Sequence, residues 1–196
     1  MGAAYSRRSI RLAGYDYAQE GHYFVTIVAY KRLYLFGEIV DGEMIPNEAG
    51  YMIERMWQEI EDDFPHVTLG EYVLMPNHLH GIIQIRKPVG AESISALNAT
   101  RTHPPTMTQR SNSATVCKRA EMDSAPTLSR MIQSFKRHST LRYIQMVKNG
   151  TLPPFDKRIW QRNFYEHIIR DDTDHARITK YIENNPLTWA EDRLAT

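Results

Sequence analysis

Two histidines stand one residue apart in "VLMPNHLHGIIQI", residues 73–85 of a 196-residue chain. On a strand, residues two apart project from one face, roughly 6.6–6.8 Å apart along the chain, so His78 and His80 can converge on a single cation while Leu79 points away. An isolated H-x-H is equally a pair of surface or hydrogen-bonded histidines, and a metal centre needs more ligands. The C-terminal stretch "KYIENNP" offers them. Tyr181 and Asn185 stand at i and i+4 and therefore share a helix face, with β-carbons about 5–6 Å apart. Asn185 can give its side-chain carbonyl to a hard cation, and Tyr181 then hangs a phenol beside it. Imidazole, amide oxygen and water suit Mg²⁺ or Mn²⁺ better than a closed structural zinc site. Taken alone, Tyr181 reads as a packed helix tyrosine; its pairing with the H-x-H raises it to a candidate nucleophile.

The elements that must position these groups are punctuated in the sequence. "HYFVTIVAY" (22–30) is β-branched and aromatic, a first strand. "NEAGYMIERMWQEIEDDF" (47–64) places Ala49, Met52, Ile53, Met56, Trp57 and Ile60 at helical spacing, with Asn47 as cap and Pro65 as stop. "VTLGEYVLM" (67–75) and "HLHGIIQI" (78–85) are strands joined across Pro76-Asn77. From Arg86 to about Pro126 the period is lost in a polar Ser/Thr/Ala/Pro-rich stretch. With too few large apolar residues for a core, residues 87–126 read as a disordered insertion in a single domain spanning 1–196. "LSRMIQSFKRHSTLRYIQMV" resumes an amphipathic helix ended by Asn149-Gly150. "RIWQRNFYEHIIR" (158–170) is a strand or a structured loop, and a last helix starts near Asp172 and stops before Pro186. This order predicts an α+β fold, an antiparallel sheet with helices on one face, of the ferredoxin-like sort.

Composition is that of an ordinary globular chain, with 42% hydrophobic and 24% charged residues and a net charge of +1. No apolar stretch approaches the ~18 residues of a membrane span, and the start lacks the apolar core of a secretory signal. The lone Cys117 excludes an internal disulfide and a cysteine-based zinc cluster, so a cytoplasmic setting is expected. Charge is unevenly spread. Residues 38–63 hold nine acids against Arg55, whereas residues 86–120 and 124–155 each carry +5. With Arg7, Arg8 and Arg11, the basic residues can form one electropositive surface opposite an acidic one, or simply solvated faces and a basic linker.

"PNHLHG", "SFKRHSTLRYI" and "IWQRNFYEHIIRDDTDHARITKYIENNP", in that order, resemble the single-tyrosine HUH transposases of the IS200 type, in particular the REP-associated tyrosine transposases. The resemblance runs from about Arg7 to Trp189 apart from the insertion. It implies the HUH endonuclease fold, His78 and His80 as metal ligands, Tyr181 as nucleophile and Asn185 as third ligand, where IS200 relatives carry the longer Gln. It further implies a DNA strand transferase that cuts single strands beside hairpins, such as REP-like elements, through a 5′-phosphotyrosine, as a monomer or a homodimer. Lys136, Arg137, Arg142 and Arg162 would track the backbone. Trp160, with Phe164 and Tyr165, would stack on bases, although tryptophan and phenylalanine here read as core more readily. Arg7, Arg8 and Arg11 would form a DNA-reaching arm.

A nucleotide hydrolase with alternating strand histidines is the weaker rival, because its third histidine falls on Ile82. A regulator that binds DNA hairpins without cleaving them is the alternative from another class. It would keep the basic face and need none of the four site residues.

Overall fold

The computed structural model describes residues 15–86 and 127–195. Arg7, Arg8, Arg11, Cys117 and the 87–126 insertion lie outside these residues.

The long apolar run "GHYFVTIV" forms β1 (Gly21–Val28), a fully flanked strand. It pairs on one side with β5 (His78–Ile85) and on the other with β6 (Tyr165–Ile169). β4 (Val67–Met75) closes the sheet outside β5, in the order β4-β5-β1-β6 with every pair antiparallel. The two-residue connection Pro76-Asn77 makes β4 and β5 a hairpin, and the histidine strand thereby becomes central. In that register His80 lies between Thr26 and Val73, and His78 between Val28 and Met75.

Alternation along the strands sorts side chains onto two faces. Tyr23, Val25, Ile27, Leu79 and Ile83 pack into the main core with Ile53, Trp57, Ile132 and Phe135. Those partners come from α1 (Glu48–Gln58) and α3 (Leu128–Lys148), the helices predicted from spacing. Asn47 caps α1 by accepting from the amides of Ala49 and Gly50 at 2.9 and 3.0 Å, which satisfies two of the orphan donors at a helix start. Gly81 is required under α1: a Cβ there would sit 2.5 Å from Trp57 Cζ2.

The α+β antiparallel architecture is as expected, with α1 and α3 together on one face. The last helix, α4 (Asp172–Asn184), takes the other face, where Ile178 and Ile182 pack with Phe24, Ile82 and Ile169. Asp171 caps it, accepting from the amide of Asp174 at 2.8 Å. Because His78, His80 and Ile82 alternate onto this second face, α4 carries its tyrosine to the histidines and not to the core.

Two local features depart from the pattern reading. The helix expected over 47–64 breaks at Glu59 and resumes as the single turn α2 (Ile60–Asp63). A small hairpin, β2 (Gly37–Val40) and β3 (Glu43–Pro46), precedes α1. Its Asp41-Gly42 turn has φ of 52° and 80°, the left-handed pair that a two-residue hairpin requires.

Candidate active site

His78 and His80 are fully packed at 0% and 3% exposure, yet their Nε2 atoms face one another at 2.9 Å. The other ring nitrogens hold this arrangement. Asn77 Oδ1 lies 2.8 Å from His78 Nδ1 and can only accept, so His78 carries its proton there and presents a bare Nε2. Thr26 Oγ1 lies 2.8 Å from His80 Nδ1 and can accept in the same way. Phe24 stacks on the His80 ring with centroids 5.3 Å apart. Desolvation lowers His78 to about 4, against a smaller upward pull from Asp192. Burial, then the neighbouring His78, lowers His80 well below the ordinary imidazole value. Both rings are therefore neutral at pH 7, with lone pairs free for a ligand.

The Tyr181 hydroxyl is 3.2 Å from His80 Nε2. At 44% exposure the ring is open to solvent from one side, which a nucleophile needs and a core tyrosine does not have. Burial of its hydroxyl end and then Asp192 raise the phenol above its usual pKa, while a hydrogen bond from Asn185 works the other way. Asn185 is 1% exposed, and its Oδ1 has no hydrogen-bond partner. A buried amide oxygen without a donor costs about 1–3 kcal/mol unless something electropositive reaches it.

These donors fit a divalent cation. Two ligand atoms at right angles around an ion at ~2.1 Å lie ~3.0 Å apart, and the two Nε2 atoms are 2.9 Å apart. Asp192 joins them: His78, His80 and Asp192 form a group whose ligand atoms all lie within 4.8 Å of one another, able to hold a metal ion. Asp192 follows a short turn at Trp189–Glu191 and had no periodic or motif signal to mark it. Thr26, a lone hydroxyl inside "YFVTIV", and Asn77 in "MPNH" are the other site residues that pattern reading passed over, and both are polar residues stranded in apolar surroundings.

The site opens into a cleft of about 870 Å³ lined by Tyr181, Asn185 and Asp192 together with Tyr165, His167 and Arg177. Of the described residues assigned to DNA on charge and aromaticity, Tyr165 lines this cleft, whereas Trp160, Phe164, Lys136, Arg137, Arg142 and Arg162 do not. Trp160 is a correction: it is 4% exposed, donates to Ser139 Oγ at 2.9 Å and packs on Phe36 and Phe135, leaving no ring face for a base. Lys136 is tied to the neighbouring loop. Its ammonium donates at 3.0 Å to the carbonyls of both Gln161 and Asn163, and burial lowers it to about 8. Arg137, Arg142 and Arg162 are exposed, but α3 carries the first two on the face opposite Tyr181. Of the described residues, Arg177 and Arg193 are the arginines that line the cleft.

This antiparallel four-stranded sheet with helices packed on its two faces is a known transposase fold. A REP-associated tyrosine transposase bound to a REP hairpin shares it, with 18% identity, a TM-score of 0.50, and coverage of 94% of this chain and 77% of that one. A transposase candidate from Deinococcus radiodurans is more remote, at 15% identity and a TM-score of 0.44 over 90% of this chain and 97% of that one. No family model matches the sequence. An uncharacterised protein of Haemophilus influenzae is 37% identical over 188 residues, 96% of this chain and 92% of the other, and this chain belongs to the same family. Among the described residues no helix is long and apolar enough to cross a membrane.

Proposed function

We propose that the chain is a metal-dependent single-strand DNA endonuclease and strand transferase, with Tyr181 as nucleophile. The observation that carries this reading is that half-exposed Tyr181, at the mouth of the cleft, brings its hydroxyl within 3.2 Å of His80 Nε2. His78, His80 and Asn185 would hold Mg²⁺ or Mn²⁺. A bound divalent ion supplies Lewis acidity toward a phosphate oxygen and offsets charge in the transition state.

The chain's own groups do the rest. Tyr181 Oη attacks phosphorus, its proton passes to solvent, and the P–O3′ bond breaks. The 3′-oxygen leaves and takes up a proton, so the products are a 5′-phosphotyrosine and a free 3′-hydroxyl. The covalent link conserves the bond, and attack by the same or another 3′-hydroxyl rejoins the strand without ATP. Thr26 and Asn77 fix the imidazoles, and Asn185 favours the phenolate. The open side of Tyr181 admits a flexible single strand beside a hairpin, such as a REP-like element, more readily than a stacked duplex. The shared fold of a transposase bound to a REP hairpin supports this substrate class.

A labelled single strand carrying a hairpin, incubated with the protein and Mn²⁺, should yield a covalent adduct resistant to denaturant. Tyr181→Phe should form none while keeping metal and DNA affinity. An adduct that persists in Tyr181→Phe would move the nucleophile elsewhere, first to Tyr165, which lines the same cleft. DNA binding with no adduct from the intact protein would favour the non-cleaving hairpin-binding regulator.

A further inference from the structure

Asp192 reaches the histidines on a segment that belongs to neither the sheet nor α4. Three consecutive carbonyls of this segment are gripped by side chains from elsewhere. Arg32 Nη1 donates to the carbonyl of Arg193 at 2.9 Å. Asn77 Nδ2 donates to that of Leu194 at 2.6 Å. The Tyr34 hydroxyl donates to that of Ala195. Trp189 seats the start of the segment, its ring 5.7 Å from Tyr34 and 5.9 Å from His78.

The grip aims the carboxylate. Asp192 Oδ1 accepts from the amide of Leu194 at 2.7 Å, which fixes the side chain and leaves Oδ2 pointing to His78 Nε2 at 4.0 Å. Asn77 Oδ1 holds the His78 ring proton on Nδ1, so Nε2 has no proton to share with this carboxylate. A carboxylate only 10% exposed thus faces a bare imidazole nitrogen across a gap too long for a hydrogen bond. A cation between two such lone-pair donors stabilises both, and with His80 their ligand atoms all lie within 4.8 Å of one another.

We propose that residues 192–195 are a strap that delivers Asp192 as an additional anionic ligand to the His78–His80 centre, with Arg32, Tyr34 and Asn77 as positioning residues. Metal affinity is therefore coupled to docking of the strap. The same Asn77 side chain holds His78 through Oδ1 and the strap through Nδ2, so the imidazole and the carboxylate are registered by one group. A carboxylate also selects a hard divalent ion and halves the charge that the neutral imidazoles and amide leave uncompensated. The proposal rests on the reading of His78 and His80 as metal ligands.

The test is Mn²⁺ binding to the full chain, read by loss of the free Mn²⁺ electron paramagnetic resonance signal, with hydrogen exchange of residues 192–195 beside it. Asp192→Asn preserves the bond from Leu194 but removes the charge. It should weaken Mn²⁺ at least tenfold and abolish the added protection that Mn²⁺ gives the strap in the wild-type chain. Arg32→Met with Tyr34→Phe should also weaken Mn²⁺, although every ligand is present, and Arg32→Lys with Tyr34 intact should restore most of it. Wild-type affinity in Asp192→Asn, with binding lost in His78→Ala, overturns the strap ligand and leaves the histidine centre standing. Wild-type affinity in His78→Ala as well overturns both. Wild-type affinity in the Arg32/Tyr34 double variant overturns the delivery role.

Discussion

Acidification should expose the cost of burying two neutral imidazoles. His78 titrates at about 4 in the fold and at about 6.5 in the unfolded chain. Between those values the unfolded chain binds a proton that the folded chain rejects, so stability falls as pH drops below about 6.5 and the loss levels off below about 4. At pH 5 the loss from His78 alone is roughly 2 kcal/mol, from about 1.36 kcal/mol per pH unit over the window crossed. His80, buried further and lowered in the same direction, adds to it. Thr26 and Asn77 do not rescue the protonated forms, because each ring already uses its Nδ1 and the two Nε2 atoms would then carry facing protons at 2.9 Å.

The assay is urea unfolding in EDTA at pH 7 and pH 5. With a slope of about 2 kcal/mol per M, the midpoint should fall by about 1 M or more. His78→Gln combined with His80→Gln removes both titrating groups and should lose most of this pH dependence, whatever its stability at pH 7. Asp174, lowered to about 2 by His167 and Arg177, titrates below this window and does not confuse it. Equal midpoints at pH 7 and pH 5, or the same drop in the double variant, would refute the claim that burial holds the histidines neutral.

Because burial and Asp192 raise the Tyr181 phenol, DNA cleavage at saturating Mn²⁺ should climb with pH, approaching tenfold per unit between about pH 6 and 8. A flat single-turnover profile would count against a phenol that must lose its proton to attack. Gly81→Ala should destabilise by roughly 1–3 kcal/mol, since its methyl meets the Trp57 ring; an unchanged urea midpoint would mean that α1 can lift off the sheet freely. Trp160→Ala should cost ~3–5 kcal/mol of stability. The Kd for single-stranded DNA measured on the protein that remains folded should change little, and a large selective loss of DNA affinity would reinstate Trp160 as a stacking platform.

The parts of this molecule legible in its sequence are those whose physics is local. Period two makes strands of 67–75 and 78–85, and the same period puts His78 and His80 on one face. Period 3.6 makes α4 and puts Tyr181 and Asn185 on one side of it. The β2–β3 hairpin was equally local, since "VDGE" carries the Asp-Gly pair that supplies two left-handed residues, yet its flanking strands are four residues each and show little apolar alternation. Trp160 illustrates an ambiguity that no local pattern removes. An indole in a basic, aromatic segment serves a base or a core equally well. Only the long-range bridge between Ala29 and Trp160 turns the ring inward to Phe36 and Phe135.

Asp192 marks the limit of such reading. No spacing relates it to His78, which lies on a strand far back in the chain, and an aspartate among "WAEDRLAT" is chemically unremarkable by itself. Its position follows from single hydrogen bonds to Arg32, Tyr34 and Asn77, three residues that precede it by more than a hundred positions. Each such bond contributes only about 0.5–1.5 kcal/mol, too little to leave a hydrophobic signature but enough together to dock a short segment. Arg32 adopts φ of 55°, a conformation disfavoured for a non-glycine residue, and the loop that bears it presents donors toward the strap. A hydrophobic pattern therefore locates the histidine strand and the tyrosine helix. The carboxylate that reaches the histidines across the cleft is set by polar contacts whose partners only the folded chain brings together.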